Sequence, residues 1–399
     1  MYIYKPEIID VNEENIKIQA YYESNTGNGY LWYLLPQTYK KYLTHEKLDA
    51  FLVALIFLAM KNGEDIYLKA PVSEKLFYNL SNNYIYVLNK LIPYLKRIKI
   101  FPDELHDGKE YTCENKIVTG FSGGVDSFHT IYEYFYNENV SNNFKLTHLI
   151  INNVGAYGEF ESEKARNKFH KLYERLRNTP IAKDLNFIKI DSNINEVINL
   201  HFHLTHTTCN VSAILLLQKL FSKFYYAAGC KYENYFIGKT KDISCADPII
   251  LNLLSTETLE CSSVGSQLSR IEKTAVIADF EKCFDYLNVC INNEHDTNCS
   301  ACYKCNRTML TLDLLGKLGN FKNAFDLKKY YKNKKLYIIK ILADQNNRFT
   351  KEIKNLMKEK KFKVHFWQKL LTGIIRILPP KLFPRLSYFF YKHNTKRKL

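Results

Sequence analysis

The sequence predicts an α/β protein built on a doubly wound, mainly parallel sheet, preceded by a small α/β segment and followed by a cysteine-bound helical part. Three observations predict this. Between Lys116 and Gly238, short β-branched or aromatic runs alternate with longer helical patterns, the mark of parallel crossovers. A glycine turn, Ser122-Gly123-Gly124-Val125-Asp126-Ser127, stands between the first run and the first helix. Four cysteines, Cys290, Cys299, Cys302 and Cys305, follow the last of these elements.

Residues 1–112 read as a small α/β domain. Ile16 to Tyr21 alternates like a strand, and Glu46 to Met60 is a helix by pattern with Thr44 as its candidate cap. Ile66-Tyr67-Leu68 and Ile98-Lys99-Ile100 read as short strands around a second helix near Glu74 to Leu95. The polar, acidic stretch Pro102 to Thr112 reads as a linker. Nothing at the start resembles a signal peptide, and the longest apolar run, Phe51 to Met60, is too short to span a bilayer. The expected location is therefore cytoplasmic, where the ten cysteines would be reduced.

Residues 113–288 carry the clearer alternation. Ile117-Val118-Thr119 is the first strand, and Phe128 to Tyr136 is its helix. Leu146 to Asn152 is the second strand, followed by the charged helix Glu161 to Arg177. Asn186 to Ile190 is the third strand, ending at Asp191. Val211 to Phe224 reads as a long apolar helix and Tyr235 to Gly238 as the fourth strand. Ligands of such sheets sit beyond the carboxyl ends of the strands. That rule gathers Ser122 to Ser127, Asn152-Asn153 and the Lys239–Asp242 loop along one rim. Arg270 and Lys273, in Ser269-Arg270-Ile271-Glu272-Lys273, open a helix that could approach the same rim, although this is not the favoured reading of the two. His201, His203 and His206 form a local cluster, read as polar or aromatic packing ahead of a second metal site.

The turn itself carries chemistry. Strand, glycine turn and helix in that order leave backbone N–H groups unpaired at a helix N-terminus, where the dipole favours an anion. Gly123 and Gly124 permit positive φ and close backbone approach, and Ser122 and Ser127 add hydroxyl donors. This is a phosphate cradle without the Gly-Lys-Ser/Thr ending of a Walker A loop. Gly120-Phe121-Ser122-Gly123-Gly124 also fits the G-x-S-x-G nucleophile elbow, but that reading leaves Asp126 and Ser127 unexplained. An ordinary glycine turn is the remaining reading.

The hexapeptide resembles the SGGxDS signature of the PP-loop ATP pyrophosphatases. The resemblance implies a Rossmann-like, adenine nucleotide alpha hydrolase-like sheet that splits ATP between its α and β phosphates and transfers AMP. It implies that Ser122, Gly123, Gly124, Val125, Asp126 and Ser127 hold the nucleotide. Ser122 and Asp126 would act in the reaction, Asp126 through Mg2+. By the same likeness Asn153 contacts adenosine; Arg270, should its helix reach the rim, is a further candidate for the nucleotide site. Lys239, after the fourth strand, would neutralise the leaving pyrophosphate, although Lys239 and Lys241 also read as solvated loop lysines in so lysine-rich a chain.

Cys290-x8-Cys299-x2-Cys302-x2-Cys305 suits a closed tetrahedral Zn2+ site, three ligands from one tight loop and the fourth from the end of a strand at Leu287-Asn288-Val289. An iron–sulfur cluster is the runner-up. The other six cysteines are scattered and read as buried thiols. Together the two motifs resemble 7-cyano-7-deazaguanine synthase and its relatives, over roughly residues 115–320. That likeness implies adenylation of a carboxylate or carbonyl oxygen, then amidation-type attack by a nucleophile. It implies a structural zinc on Cys290, Cys299, Cys302 and Cys305. The substrate is unidentified, and the chain is longer than a compact synthase of that kind.

Residues 289–330 read as the cysteine loop and a packing helix, Arg307 to Leu318, and residues 331–399 as a basic helical tail. Phe366 to Leu371, Ile374 to Pro380, Leu382-Phe383 and Thr395 to Lys398 mix aromatics, aliphatics and cations. Such a tail docks on its own domain or a second copy, lies on a membrane surface, or meets nucleic acid, in that order of preference. The net charge of +15 and pI of about 9.1 fit an anionic partner, but lysine runs through the whole chain. A tRNA-modifying PP-loop enzyme of the thiolation or lysidine type is the alternative, without a surplus cysteine pair to carry sulfur. A non-catalytic nucleotide-binding scaffold is the third reading.

Overall fold

The computed structural model describes residues 1–377 except 109–111, 159–161, 292–296 and 346. The predicted linker and the predicted helix start at Glu161 lie partly outside the described residues, as does the tail beyond residue 377. The chain divides into two compact units, Met1–Lys273 and Thr274–Leu399.

The first unit opens with strands β1 (Tyr2–Tyr4), β2 (Glu7–Asp10), β3 (Asn15–Ser24) and β4 (Gly27–Pro36). β3 and β4 form a hairpin in register from Asn15↔Pro36 to Ser24↔Gly27. Ile16, Ile18 and Ala20 of β3 and Leu31, Tyr33 and Leu35 of β4 are buried, the two-residue period of a sheet with one face on a core. The helix Asp49–Asn62 is apolar almost all round and nearly every side chain is buried, as expected of a helix covered on all sides. It starts at Leu48, with no side-chain cap from Thr44, and ends on Gly63 at φ 76°. β5 (Ile66–Lys69) and β7 (Ile100–Pro102) run parallel, and β6 (Val72–Ser73) pairs with β8 (Leu105–His106) apart from the main sheet.

Five parallel strands follow: β9 (Lys116–Gly120), β10 (His148–Asn152), β11 (Asn186–Ser192), β12 (Phe221–Ala227) and β13 (Glu260–Val264). Among the described residues the sheet has eleven strands in the order β13-β12-β9-β10-β11-β4-β3-β1-β5-β7, with β2 also on β3. The α/β class and the mostly parallel central sheet are thus as predicted. Helices cover both faces. Tyr225 of β12 packs on Tyr134 of the helical segment after β9, while Tyr226, its neighbour on the opposite face, packs on His206 of the helix Phe202–Leu215.

Three differences from the sequence reading follow. The fourth strand is Phe221–Ala227 and not Tyr235–Gly238, and the apolar helix stops at Leu215. Phe221 and Phe224 are buried at 0% and 1% exposure; burying each contributes about 2 kcal/mol, and aromatics suit a pleated, packed surface. β13 was not foreseen. Finally, residues 1–112 do not stand apart. β4 pairs antiparallel with β11 through Leu34↔Asp191 and Tyr33↔Ser192, so one sheet runs through both segments.

The second unit is helical. Tyr303–Leu314, Leu327–Ala343, Arg348–Glu359 and Phe366–Ile377 are its longer helices. Asp326 and Asn347 cap two of them by accepting from the Lys329 and Phe349 N–H groups. Met309, Leu312, Phe321, Tyr330, Ile339 and Ile353 are buried in this unit. The predicted helix Arg307–Leu318 is Tyr303–Leu314. It stops ahead of Gly316 at φ 72°, not at Gly319. Leu287 to Val289 is not a strand. Its backbone is tied instead by the Asn298 side chain, which donates to the Leu287 carbonyl at 2.7 Å and accepts from the Val289 N–H at 2.9 Å.

Candidate functional site

The parallel strands lie third, second, first, fourth and fifth across the sheet, so the chain order reverses between β9 and β12. Open α/β sheets bind ligands at such a switch point. The Ser122–Ser127 turn leaves the carboxyl end of β9 at that place. Gly123 has φ 72°, which a Cβ would penalise. Gly124 is the N-cap of the helix Val125–Ile131, and no side chain caps it. Ser127 instead donates its hydroxyl to the Gly124 carbonyl at 3.0 Å, bracing the turn. Ser122 is exposed and Val125 is buried.

Asp126 sits on this turn between two cations. Arg270 Nη2 is 2.7 Å from its Oδ2, and Lys273 Nζ is 3.6 Å from its Oδ1. Both cations come from the first turn of the helix Arg270–Ile277. That turn is fixed by a capping box: the Ser269 N–H donates to the Glu272 carboxylate at 2.6 Å, and the Glu272 N–H to the Ser269 hydroxyl at 3.2 Å. The box sets the phase at which positions 270 and 273, three residues apart, share a face. Lys273 also donates to the Ala228 carbonyl, just past β12, at 2.6 Å, and is 2% exposed. Burial pushes its ammonium below the ordinary lysine range while Asp126 pulls it back up. The three charges sum to one excess positive charge beside an uncapped helix N-terminus, an arrangement that attracts anions.

His129, one turn into the same helix, is 1% exposed, and neither ring nitrogen has a hydrogen-bond partner among the described residues. Burial, with Lys273 repulsion, pushes it down to about 4, so it is neutral at pH 7. Gly265 lies against it; a Cβ there would meet Lys273 Cε at 3.3 Å and His129 Nδ1 at 3.4 Å.

A second group of polar side chains faces the switch point from the other side of the sheet. Gly120 pairs with Ile150, and its neighbour Thr119 pairs with Tyr225, which brings Gly120 beside Tyr226. A Cβ on Gly120 would meet nothing within 4 Å. On the neighbouring strand, Tyr226 Oη is 2.7 Å from His206 Nδ1. Asn210 donates to the His206 carbonyl at 2.7 Å, and Asn152 donates to Asn210 Oδ1 at 3.1 Å. The buried Asn152 Oδ1 has no partner among the described residues. Behind the ring, His206 Nε2 lies 3.4 Å from Asp242, and Thr207 donates to Asp247 at 2.6 Å. Burial raises Asp242, but the His206 hydrogen bond and charge outweigh it and hold the carboxyl well below the usual range. Burial pushes the Asp247 carboxyl up to about 7, against the pull of His206 and Thr207.

The predicted residues therefore separate. The turn and Arg270 meet. Asn153 lies at the rim, but its amide is committed to Asp191 at 2.7 Å. Lys239 follows a segment that is not a strand, and its exposed loop is tied to Leu91 through the Thr240 N–H. Among the described contacts, the lysine at the turn is Lys273. The His203–His206 cluster serves Asp242 and Tyr226. Sequence reading missed Gly120, Asn210, Tyr226 and Asp247. The one local signal was Asp247-Pro248, a helix start.

In the second unit the sulfurs of Cys290, Cys299, Cys302 and Cys305 all lie within 4.8 Å of one another. Cys299–Cys305 is 3.9 Å and Cys302–Cys305 is 3.4 Å. Tetrahedral zinc with bonds of about 2.3 Å would separate sulfurs by roughly 3.8 Å, so the cluster is at metal-binding distance and compatible with zinc. N–H groups of Cys299, Cys302 and Cys305 point at the sulfurs of Cys290, Cys299 and Cys302, between 3.3 and 3.5 Å. Such donors stabilise thiolates. Ser300, at φ 52°, turns the loop so that Cys299 and Cys302 converge. The hydrogen bond between Cys302 and Cys305 holds the Cys302 thiol below the ordinary cysteine range and Cys305 above it. No family model matches the chain, and no curated protein or solved structure matches it.

Proposed function

We propose that the chain is an ATP-dependent PP-loop enzyme that adenylates a carboxylate or carbonyl oxygen, releases pyrophosphate, and passes the activated group to a nucleophile. The observation that carries this reading is the clamp of Arg270 and Lys273 on Asp126, set on an uncapped glycine turn at the switch point of the sheet. A hydrolase elbow would have no use for two cations there, whereas a triphosphate would. In this reading the N–H groups after Gly124 and the Ser122 hydroxyl hold the phosphates. Arg270 and Lys273 offset the charge that builds on the leaving pyrophosphate. Mg2+ favours phosphate oxygens with one or two carboxylates, and Asp126 is the carboxylate in place. The space over Gly120, with the polar chain of Tyr226, His206, Asn210 and Asn152 on the strands and helix of that face, then takes the acceptor or the adenosine edge. It offers neutral amide and phenol groups, suited to a planar hydrogen-bonding ligand. The four cysteines hold a structural zinc with no open coordination position.

The test is equilibrium binding of ATP with Mg2+ by titration calorimetry. The native chain is expected to bind, and Arg270→Ala to weaken binding by about tenfold or more, about 1.4 kcal/mol. Gly123→Ala should do the same through backbone strain. Equal binding by all three proteins would overturn the assignment of this turn to the nucleotide.

A further inference from the structure

The helix Phe366–Ile377 presents apolar side chains on its outward face as well as its inward one. Its fully buried positions are Gln368 and Thr372, at 1% and 5% exposure, with Leu371 and Ile375 half-buried on the same side. Gln368 donates to the Lys335 carbonyl at 3.2 Å and Thr372 to the Gln368 carbonyl at 2.7 Å. Its outward positions are apolar: Phe366 is 81% exposed, Leu370 57%, Ile374 48% and Trp367 41%. Phe366, Leu370 and Ile374 recur every four residues, so they line one stripe about 12 Å long. The exposed charges along this stripe, Lys369 and Arg376, are both cations.

The surrounding sequence has one sign. Residues 360–399 contain eleven Lys and Arg and no Asp or Glu. That asymmetry selects among the surfaces that would cover the stripe. A second copy in a two-fold contact would bring cations against cations, since the same all-cationic patch is set against itself. The rest of the segment carries the same charge. An anionic lipid surface satisfies both halves of the pattern, taking the apolar stripe into the headgroup–acyl boundary and the cations onto its phosphates. Phe366 and Trp367 are the residue types that settle at that boundary. The helix has 12 residues, about 18 Å, so it lies on a bilayer and does not cross it; no helix among the described residues is long and apolar enough to cross.

We propose that the outward face of Phe366–Ile377 is a docking surface for an anionic membrane, which holds the chain at the lipid–water interface. This rests on the exposure and charge of the helix and not on the proposed activity.

The experiment is co-sedimentation of the full chain with phosphatidylcholine vesicles, with and without roughly one-third phosphatidylserine. Trp367 emission is followed in parallel with brominated lipid as quencher. Binding to the anionic vesicles is expected to exceed binding to the neutral ones by at least about tenfold and to fall with added salt. Trp367 should shift to the blue and be quenched. The double variant L370E/I374E should lose binding by at least about tenfold, with its melting temperature unchanged because both side chains point outward. Lys369→Gln should weaken binding less and leave quenching of the bound fraction intact. Equal binding to both vesicle types overturns the proposal, as does binding that survives L370E/I374E. A dimer that L370E/I374E dissociates, with no vesicle binding, overturns it in favour of a self-interface.

Discussion

Asp126 shows how one residue changes meaning with its neighbours. In the sequence it completes a glycine-rich signature; in the fold it is the anion between Arg270 and Lys273. Asp247 is the converse, a carboxyl with no signature that burial, with the nearby Asp242 charge, pushes up to about 7 from 3.8. Its folded-state value lies above its unfolded one. The unfolded chain therefore releases a proton between pH 3.8 and 7 that the folded chain retains. The contribution of Asp247 to stability is thus whole below pH 3.8 and is lost as pH rises towards 7. Asp247→Asn keeps an acceptor for Thr207 and removes the titration. At pH 8 the variant is expected to be more stable than the native chain by roughly 2 kcal/mol or more, with the gap closing near pH 4. Urea unfolding at the two pH values checks this, and a gap independent of pH would contradict it.

At the scale of elements, the sequence was legible where pattern and environment agreed. β3, β5, β9, β10 and β11 stand where β-branched runs predicted them, because those residues fill a buried pleat. Phe221–Ala227 was lost inside an apolar helix, since a buried run has no period to separate strand from helix. Tyr235–Gly238 misled for the opposite reason: its aromatic content has no strand to pair with among the described residues, and the Phe236 N–H goes to the Cys245 carbonyl instead. The four cysteines were legible from spacing alone, because one short loop must bring the sulfurs together. The Asn298 ties and the Ser300 turn that shape that loop were not. Structural zinc stabilises small units by on the order of 10 kcal/mol. Removing it by chelation, or by Cys302→Ser, is expected to lower the melting temperature by roughly 10 °C or more. Elemental analysis should give one zinc per native chain and none in the variant. An unchanged melting curve after confirmed zinc loss would contradict a structural role.

At the scale of the molecule, the boundary expected near residue 112 failed because strand pairing at β4 and β11 is a long-range match with no local signal. The rim of the sheet was legible as a rule about carboxyl ends, and the rule placed the Ser122–Ser127 turn correctly at the end of β9. It misplaced Lys239, since the wrong fourth strand was carried into it. What the sequence could not supply was the partner of the turn: Arg270 and Lys273 lie more than a hundred residues away from Asp126, and only the crossover through β12 and β13 brings them back. A triphosphate held by that assembly is proposed to be cut between its α and β phosphates. The most direct measurement separates the nucleotide products after incubation of the native chain with ATP and Mg2+ in the presence of small-molecule extracts. AMP and pyrophosphate, absent with Ser122→Ala, Asp126→Ala and Arg270→Ala, are the predicted result. ADP and phosphate, or AMP formation that survives all three substitutions, would contradict the claim.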